Sequence, residues 1–520
     1  MAPNTRLPTD DERLTATPLA SAEVANSDIE RLTTDALVVN LFEGVAQPGG
    51  ATGAVDRALG GAIQELITAG DLSGKLGQIA VLYPRGSIPA SRVLVVGLGP
   101  SERFSPEIAR RAAASAARRA RELGATHVHT IAHGAGSGGL GMKEAAQATL
   151  EGSLLANYTF RGWRGGDEPR RLSGITLVES DPNKLAAAEQ GVRDAGAITS
   201  GVARARDLVN RPPNHANPEH LAGIARQVAA AGGLDIEVGD RSWLESERMG
   251  ALLAVASGSH NEPAFIVMRH NSDRTDLPHV VLVGKGVTFD SGGLSLKTRD
   301  GMVPMKGDMA GAGAVIGAME AVAALGLDLR VTGVCPCVEN MPDGASFRPS
   351  DVVVASNGVS IEILSTDAEG RLALAEALAY AQRLEPDAVI DIATLTGSSV
   401  TALGAGVSAS LFANDDDLAA QLARASAATG ERVWRMPLFD EYRKTIDAKV
   451  ADIKNSGGAG GGVGTAAVFL ERFTNYPWAH VDMAGMELVA QGGDKEYLSA
   501  GATGYGVRLL VEYLQRRAEA

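Results

Sequence analysis

Strand-like apolar runs alternate with helix-like segments along most of the chain, and this alternation constrains the fold more than any other feature. Within residues 28–183 each predicted strand is followed by a turn or by a segment with helical periodicity. The predicted strands are residues 35–42, 78–83, 92–97, 127–132 and 174–179, and the predicted helices are residues 54–69, 105–123 and 142–160. This order of elements predicts an α/β domain.

The chain has 520 residues, which is too long for a single hydrophobic core and favours two domains. We expect a loosely ordered lead-in over residues 1–27, an N-terminal α/β domain over 28–183, a helical linker over 184–214 and a second α/β domain over 215–520. Prolines near the end of the linker favour an extended entry into the second domain. The buried strands predicted in that domain are residues 279–284, 330–338, 388–393 and 479–483.

Composition narrows the functional classes. A net charge of −14 opposes a general nucleic-acid surface, so we expect no nucleic-acid partner. The polar N-terminal residues lack the apolar segment of a secretory signal, and no run of about eighteen apolar residues predicts a membrane span. Cys335 and Cys337 alternate in a strand-like run and fit neither a zinc knuckle nor a redox pair. A cytoplasmic protein without disulfides is therefore expected.

Two clusters of basic residues have both a functional and a structural interpretation. Five arginines fall on one broad face of the predicted helix 105–123, where nucleic-acid contact competes with a solvated or subunit-facing surface, and the latter is favoured. They are Arg110, Arg111, Arg118, Arg119 and Arg121. His127, His129 and His133 have no acid or cysteine near them in sequence, so we interpret them as surface histidines.

The octapeptide at residues 365–372 places two carboxylates, Asp367 and Glu369, directly before a helix-like segment. Two acids held this close in a tight loop repel each other unless a cation lies between them. A divalent metal ion between the two carboxylates would remove this repulsion. The alternative is a helix-capping cluster in which Arg371 is the counter-ion.

Two upstream stretches favour the metal. Lys285 and Asp290 follow the predicted buried strand 279–284, and Asp308 precedes the helix-like segment 310–325. Ligands of open α/β sheets bind at the carboxyl ends of strands. Four carboxylates with no soft ligand suit two hard or borderline divalent ions, which can hold a bridging hydroxide and catalyse hydrolysis. On these grounds alone amide, ester and phosphoester substrates all remain open.

The octapeptide at 365–372 resembles the signature of the leucyl aminopeptidases, the M17 family of cytosol aminopeptidases. The similarity extends over residues 200–515 and includes the motifs at 284–293, 305–309, 393–397, 451–455 and 501–506. It implies an α/β fold with a macro-domain-like N-terminal part and a catalytic domain built on a mixed central sheet. It also implies a two-metal aminopeptidase that removes leucine-like N-terminal residues by means of a metal-bridging hydroxide.

The resemblance assigns the metal ligands. It implies that Lys285, Asp290, Asp308 and Glu369 hold one ion, and that Asp290, Asp367 and Glu369 hold the other. The ions would be Mn²⁺ or Zn²⁺, and Asp290 and Glu369 would bridge them. An amine ligand must be neutral, and two adjacent dications would depress the pKa of the lysine enough for that.

The resemblance also assigns the catalytic groups. Lys297 would stay protonated and stabilise the oxygen that becomes an anion in the tetrahedral intermediate. Arg371 would hold a bicarbonate ion that acts as general base. The structural alternatives are a surface lysine for Lys297 and a salt bridge to Asp367 or Glu369 for Arg371.

Peptides with a free N-terminus are the implied substrates, and a homo-hexamer is the implied assembly. The substrate-binding residues carried over from the family are Met305, Thr394, Leu395 and Gly397. Position 365 departs from the family pattern, because serine stands where asparagine is usual. Three rival hypotheses remain: a two-metal phosphoesterase, a DNA-binding regulator that uses the arginine face, and a nucleotide-like ligand in the N-terminal domain.

Overall fold

The computed structural model describes residues 19–162, 169–458, 460–489 and 495–519. By its internal contacts the chain divides into two compact units. The first comprises the described parts of Met1–Ser200 and Ala490–Ala500, and the second those of Gly201–Val489 and Gly501–Ala520. Both units are α/β and each contains a mixed sheet, which confirms the predicted fold class. The domain boundaries at 183 and 214 stay predictions.

The first unit is built on a six-stranded sheet in the order β1-β6-β5-β2-β4-β3, in which only β3 runs antiparallel to its neighbour. Its strands are β1 Ser21–Ala25, β2 Ala36–Leu41, β3 Ile79–Leu82, β4 Val93–Gly97, β5 His127–Thr130 and β6 Gly174–Val178. The helices are α1 Gly50–Ala58, α2 Ala62–Ala69, α3 Pro106–Glu122, α4 Met142–Asn157 and the long α5 Leu185–Asn210, within which the division between the units falls.

Two elements of this unit differ from the sequence prediction. The predicted helix 54–69 is two helices, because Gly60 and Gly61 take left-handed φ values of 69° and 91° that end α1 before α2 begins. Strand β1 lies within the predicted lead-in, residues 1–18 of which are outside the described residues. Its five residues include one β-branched residue and no aromatic one, which is a weak strand signal, and β1 is an edge strand that pairs in parallel with β6 on one side only.

The arginine face of α3 is used largely within the first unit. Arg111 forms a bidentate pair with Glu496 at 2.7 and 2.9 Å, and Arg110 is buried against Glu151. Arg118 donates to the carbonyl of Leu498, so residues 496–498 lie along the helix. The predicted solvated face is therefore corrected to a mainly intramolecular one, which also removes support from the nucleic-acid hypothesis.

Of the three histidines near β5, His133 contradicts the prediction of a surface position. His127 and His129 are partly buried, and His133 is fully buried with its Nδ1 3.0 Å from the Asn40 amide nitrogen. Burial lowers the pKa of His133 to about 4. The prediction failed at His133 because the strand ends at Thr130, so the alternation of exposed positions does not continue to it.

The second unit is organised around a nine-stranded mixed sheet in the order β16-β15-β18-β14-β9-β11-β8-β7, with β10 pairing to β11. The strands of this unit are β7 Asp235–Gly239, β8 Ala264–His270, β9 His279–Gly284, β10 Gly286–Asp290, β11 Arg330–Asn340, β12 Val352–Val354, β13 Ser360–Glu362, β14 Ala388–Ala393, β15 Ala409–Ala413, β16 Val433–Arg435, β17 Ile453–Lys454, β18 Trp478–Asp482, β19 Leu488–Val489 and β20 Gly501–Ala502. Both cysteines are free and buried in β11, as predicted.

The second unit also contains eleven α-helices among the described residues. They are α6 Pro218–Gly232, α7 Arg241–Ser246, α8 Gly250–Ala256, α9 Arg299–Met302, α10 Ala310–Leu325, α11 Gly370–Gln382, α12 Gly397–Leu403, α13 Asp416–Thr429, α14 Asp440–Thr445, α15 Gly462–Glu471 and α16 Val507–Ala518. A short 3₁₀ helix, Val303–Gly307, precedes α10.

Central strands β9 and β14 are buried at every position, and α10 packs on them at close range. A methyl group added at Gly311 would lie 2.2 Å from the carbonyl oxygen of Ile392, so only glycine permits this approach. Among the described residues, only the helical stretch Arg299–Leu325 is long and apolar enough to cross a membrane, and 78% of its apolar window is buried inside the protein. Core helices of globular domains share that composition.

The buried His133 predicts a pH-dependent weakening of the first unit. Its depressed pKa means that its contribution to stability is complete above about pH 6.5 and is lost as the pH falls toward 4. The full loss amounts to roughly 3 kcal/mol, because each unit of pKa shift corresponds to about 1.4 kcal/mol. Replacing His133 by Gln should remove most of this pH dependence from the free energy of unfolding. Pulse proteolysis in urea at pH 7 and pH 4.5 measures it.

The exposed His260 provides the control, since His260→Gln should keep the wild-type pH dependence. If His133→Gln loses as much stability between the two pH values as the wild type, the buried histidine is not the cause.

Candidate functional site

The predicted site residues come together where adjacent strands of the nine-stranded sheet end. Lys285 directly follows β9, Thr394 directly follows β14, and Asp290 is the last residue of β10. Because β9 and β14 are parallel neighbours and β10 runs parallel to β11, these residues reach the same edge of the sheet. The sequence prediction of a common rim is therefore confirmed by the topology.

Helix starts bring the remaining carboxylates to this edge. Glu369 is the residue before the first turn of α11, and Asp308 lies at the end of the 3₁₀ helix that leads into α10. Both carboxylates therefore lie beside helix N-termini, where the aligned peptide dipoles favour negative charge. Asp367 is the most exposed member, with 38% of its side chain accessible.

Two lysines lie between the carboxylates. Lys285 Nζ is 2.7 Å from Asp308 Oδ1 and 3.0 Å from Glu369 Oε1. Lys297 Nζ is 2.8 Å from Asp290 Oδ2 and 2.6 Å from Asp367 Oδ1. Four carboxylates thus face two ammonium groups, which leaves an excess of negative charge in a largely buried cluster.

The pKa directions reflect this crowding. Burial raises the pKa of Asp290 to about 7, and the carboxylate of Glu369 adds to the rise. Burial also raises the pKa of Asp308 well above its usual range, although Lys285 opposes the effect. Burial acts to raise the pKa of Glu369 too, but Lys285 and Lys297 outweigh it and lower that pKa. The protein alone therefore cannot keep all four carboxylates charged at low cost.

The donor set of this cluster fits divalent cations. Oxygen atoms of Asp290, Asp367 and Glu369 lie within 4.8 Å of one another, close enough to share an ion. In addition, Asp308 Oδ2 and Glu369 Oε2 are buried and have no hydrogen-bond partner among the described residues. Buried carboxylate oxygens are costly without a partner, and hard cations prefer oxygen ligands. Both observations support a metal in preference to a capping cluster.

Glycines allow the acid loops to approach each other. Gly292 has a left-handed φ of 86°, and a methyl group there would lie 2.8 Å from Asp367 Oδ1. At Gly370 a methyl group would lie 2.3 Å from Cε of Lys285. The glycine after Glu369 is therefore required for the lysine to reach the carboxylates.

Sequence reasoning missed the residues that join the two acid loops. The Asn340 amide donates to Asp290 Oδ1 at 2.8 Å and to the carbonyl of Thr366 at 3.0 Å. Thr366 Oγ1 in turn donates to the carbonyl of Gly292 at 2.6 Å. Asn340 ends strand β11, 50 residues after Asp290, and no local motif marks it. Hydrogen bonds of this kind fix the orientation of ligating carboxylates.

Arg371 does not take the structural role considered for it. Among the described residues it forms no salt bridge with Asp367 or Glu369; its guanidinium donates to the carbonyl of Asn455 at 2.8 Å and lies 6.0 Å from the ring centre of Phe469. Burial lowers the pKa of Arg371 to about 10. Its Nε has no partner among these residues, so this buried cation retains a free donor.

The residue that departs from the family pattern still makes a side-chain contact. Ser365 Oγ accepts the backbone N–H of Asp367 at 3.2 Å, and the carbonyl of Ser365 accepts from the Asn455 amide at 2.7 Å. The loop that carries Asp367 is therefore held by hydrogen bonds on both sides of Ser365.

Of the residues predicted to bind substrate, Thr394 has hydrogen bonds to the carboxylate cluster, whereas Met305 and Gly397 are located by the elements in which they lie. Thr394 is integrated with the cluster, because its Oγ1 donates to Asp308 Oδ1 at 2.8 Å and its carbonyl accepts from Lys285 at 3.2 Å. Met305 lies in the 3₁₀ helix before Asp308, and Gly397 begins α12 two residues after Leu395. Whether Met305, Leu395 and Gly397 contact a substrate stays a prediction.

His480 and Asp482 occupy buried positions in β18. They do not bond each other: His480 Nδ1 bonds the carboxylate of Asp391, and Asp482 accepts hydrogen bonds from the loop after β14. Asp391, in the neighbouring strand β14, carried no signal in the sequence because it is surrounded by apolar residues.

Family models match most of the chain. The catalytic domain of the cytosol aminopeptidase family matches residues 203–511, and the N-terminal domain of the same family matches residues 38–165. The match thus includes every residue of the carboxylate cluster.

Curated relatives and solved structures agree with these models. The chain is 44% identical to a probable cytosol aminopeptidase of Geotalea uraniireducens (strain Rf4) over 464 residues, covering 89% of this chain and 92% of the relative. It is 42% identical to a probable cytosol aminopeptidase of Roseiflexus castenholzii over 493 residues, covering 94% and 97% of the two chains.

Two solved structures share the architecture. The bottromycin maturation enzyme BotP superposes with a TM-score of 0.81 at 35% identity, covering 94% of this chain and all of BotP. A mutant of tomato leucine aminopeptidase superposes with a TM-score of 0.83 at 32% identity, covering 96% and 97% of the two chains. The chain therefore belongs to the cytosol aminopeptidase family, M17, and is an aminopeptidase of that family.

Proposed function

We propose that this protein is a two-metal aminopeptidase that removes leucine-like residues from the N-terminus of peptides. Membership of the family supports the aminopeptidase activity. The observation that carries the metal dependence is the pair of buried carboxylate oxygens, Asp308 Oδ2 and Glu369 Oε2, that lack a partner in a cluster with excess negative charge. Cations of charge +2 would neutralise that excess.

The ligands proposed for the two ions are those implied by the sequence. Lys285, Asp290, Asp308 and Glu369 would hold one ion, and Asp290, Asp367 and Glu369 the other. We propose Mn²⁺ or Zn²⁺, and a structure of BotP is described as a complex with Mn. When bound, such ions supply a Lewis acid for the scissile carbonyl and lower the pKa of a water shared between them, the nucleophile predicted from the sequence.

Lys297 is proposed to stabilise the developing oxyanion. Asp290 and Asp367 hold its ammonium group at 2.8 and 2.6 Å, which supports a protonated lysine at the edge of the cluster. A fixed positive charge next to the reacting carbonyl stabilises negative charge where it develops in the transition state. Only 18% of the Lys297 side chain is exposed, so the solvent screens this charge weakly.

Arg371 is proposed to hold a bicarbonate ion that acts as general base. Its guanidinium is buried and its Nε donor is free among the described residues, so an anion beside it would gain a charge-assisted hydrogen bond. Arg371 is the second residue of α11 and lies two residues after Glu369, so an anion bound to it would lie close to the cluster.

Recognition of the N-terminal residue is assigned to the loop after β14 and to Met305. Carbonyl groups of Thr394 or Leu395 would accept from the substrate amine, and Met305, Thr394 and Gly397 would line a pocket for an aliphatic side chain. The family resemblance also supports a homo-hexamer in the cytoplasm, and light scattering on the purified protein tests that assembly.

Removing one ligand should abolish the activity. We expect metal-stripped protein to be inactive on leucine p-nitroanilide and to regain activity with Mn²⁺ or Zn²⁺, whereas Asp367→Ala should lose at least about 100-fold in kcat/KM. Lys297→Ala should lose about 100-fold or more in kcat, because an oxyanion donor is removed. The exposed Asp300→Ala serves as the control and should behave like the wild type. Wild-type activity in Asp367→Ala would contradict the ligand assignment.

A methyl group at position 370 should displace the lysine ligand. Gly370→Ala places Cβ against the side chain of Lys285, so we expect the affinity for Mn²⁺ to fall by at least about tenfold. Calorimetric titration of metal-stripped protein measures this. Gly344→Ala is a suitable control, since a methyl group there meets nothing within 4 Å. Equal Mn²⁺ affinities for the two variants would show that Lys285 does not contribute to the site.

The proposed recognition of a free amine predicts strict exopeptidase specificity. Leucine p-nitroanilide should be hydrolysed, whereas its N-acetyl derivative should react at least about a thousandfold more slowly, because a blocked amine leaves its carbonyl acceptors unpaired. The rates of hydrolysis of the two substrates, assayed in parallel at one metal concentration, test this specificity. Comparable rates on both substrates would exclude an aminopeptidase mechanism.

A further inference from the structure

Asp482, the last residue of β18, is a buried carboxylate outside the proposed ligand set. Its side chain is inaccessible to solvent. Oδ1 accepts backbone N–H groups from Leu395 at 3.1 Å, Thr396 at 3.3 Å and Ala484 at 3.2 Å, and Oδ2 accepts from the hydroxyl of Thr396 at 2.7 Å. Three of these four donors belong to the loop that follows β14.

The two loop N–H groups determine where the loop carbonyls point. A trans peptide bond is planar, so its C=O is directed opposite to its N–H. The N–H of Leu395 shares a peptide with the carbonyl of Thr394, and the N–H of Thr396 shares one with the carbonyl of Leu395. Because both N–H groups point to Asp482, both carbonyls point away from it.

The structure shows what lies on that opposite side. The carbonyl of Thr394 accepts from Lys285 Nζ at 3.2 Å, and Thr394 Oγ1 donates to Asp308 Oδ1 at 2.8 Å. The loop therefore has Asp482 on one side and the carboxylate cluster on the other. The carbonyl of Leu395, in the next peptide, is directed toward the cluster side as well.

The burial of a carboxylate at position 482 is not explained by a need to cap the N-terminus of α12. Thr396 itself caps the helix, since its Oγ1 accepts the N–H of Ser399 at 3.0 Å. Burial raises the pKa of Asp482, so the charge is costly where it stands, and a neutral side chain would satisfy a helix cap at lower cost. The contacts that distinguish Asp482 are those to the peptides of residues 394–396.

We propose that Asp482 is a positioning residue that orients the carbonyl of Leu395 toward the N-terminal residue of the substrate. This inference rests on the aminopeptidase function proposed above. In the part of the chain that the structure describes, Asp482 has no hydrogen bond or ion pair with the cluster, and it acts through the backbone of the loop. Because the loop would hold the substrate equally in the ground state and in the transition state, the effect falls on KM and leaves kcat nearly unchanged.

Two substitutions at this position separate acceptor geometry from charge. Asp482→Ala removes the acceptor of three backbone N–H groups, and we expect KM for leucine p-nitroanilide to rise at least about tenfold with kcat within about threefold of the wild type. Asp482→Asn keeps an oxygen at the position of Oδ1, so its KM should stay within about threefold of the wild-type value.

A second buried carboxylate gives a matched control. Glu431 is 4% exposed and accepts the N–H groups of Gly506 at 3.0 Å and Leu509 at 2.9 Å. Neither donor belongs to the loop after β14. Glu431→Ala should lower Tm without changing KM. An equal rise in KM in Glu431→Ala and Asp482→Ala would overturn the proposal, because general destabilisation would then explain both.

The remaining outcomes are also decisive. An unchanged KM in metal-loaded Asp482→Ala, or a loss confined to kcat, contradicts the positioning role. Should Asp482→Ala fail to fold, Asp482→Ser replaces it: one oxygen on a shorter side chain cannot reach all the donors, and an unchanged KM again contradicts the proposal. An inert wild type contradicts the aminopeptidase function itself, whereas an active wild type with an unaltered Asp482→Ala contradicts only the role of Asp482.

Discussion

Repulsion among four carboxylates at one edge of a buried sheet is the constraint on which the second unit depends. Among the described residues, the cations paired with Asp290, Asp308, Asp367 and Glu369 are Lys285 and Lys297, and burial makes the negative charge of the cluster more costly. No arrangement of these side chains alone neutralises the cluster. The strands, helices and glycine turns of the unit hold this unfavourable group together, and its oxygen-rich donor set fits divalent cations.

The scaffold holds the group by combining rigid elements with close packing. Strand ends deliver Lys285 and Asp290, and helix starts deliver Asp308 and Glu369, where peptide dipoles offset part of the cost. Hydrogen bonds from Asn340 tie the acid loops together. At the end of β18, Asp482 accepts two backbone N–H groups of the loop after β14, on the side of that loop that faces away from the cluster.

Much of the second unit's fold and of the carboxylate cluster could be predicted from the sequence, because the strands and helices that carry the proposed ligands have strong periodic signals. The carboxylates stand at the ends of such elements, and parallel strands deliver their carboxyl ends to one edge. Asn340, Asp391 and Asp482 could not be predicted as partners, since each depends on register between strands distant in the chain. The same limitation explains Arg111 and Arg118 of α3, whose partners Glu496 and Leu498 lie nearly 400 residues away.

The most direct test of the metal assignment is anomalous diffraction at the manganese edge from crystals of the full chain equilibrated with Mn²⁺. Two anomalous peaks per subunit are expected, one in contact with Lys285, Asp290, Asp308 and Glu369 and the other with Asp290, Asp367 and Glu369. Crystals of active protein with no peak at these residues, or with peaks only elsewhere, would contradict this assignment.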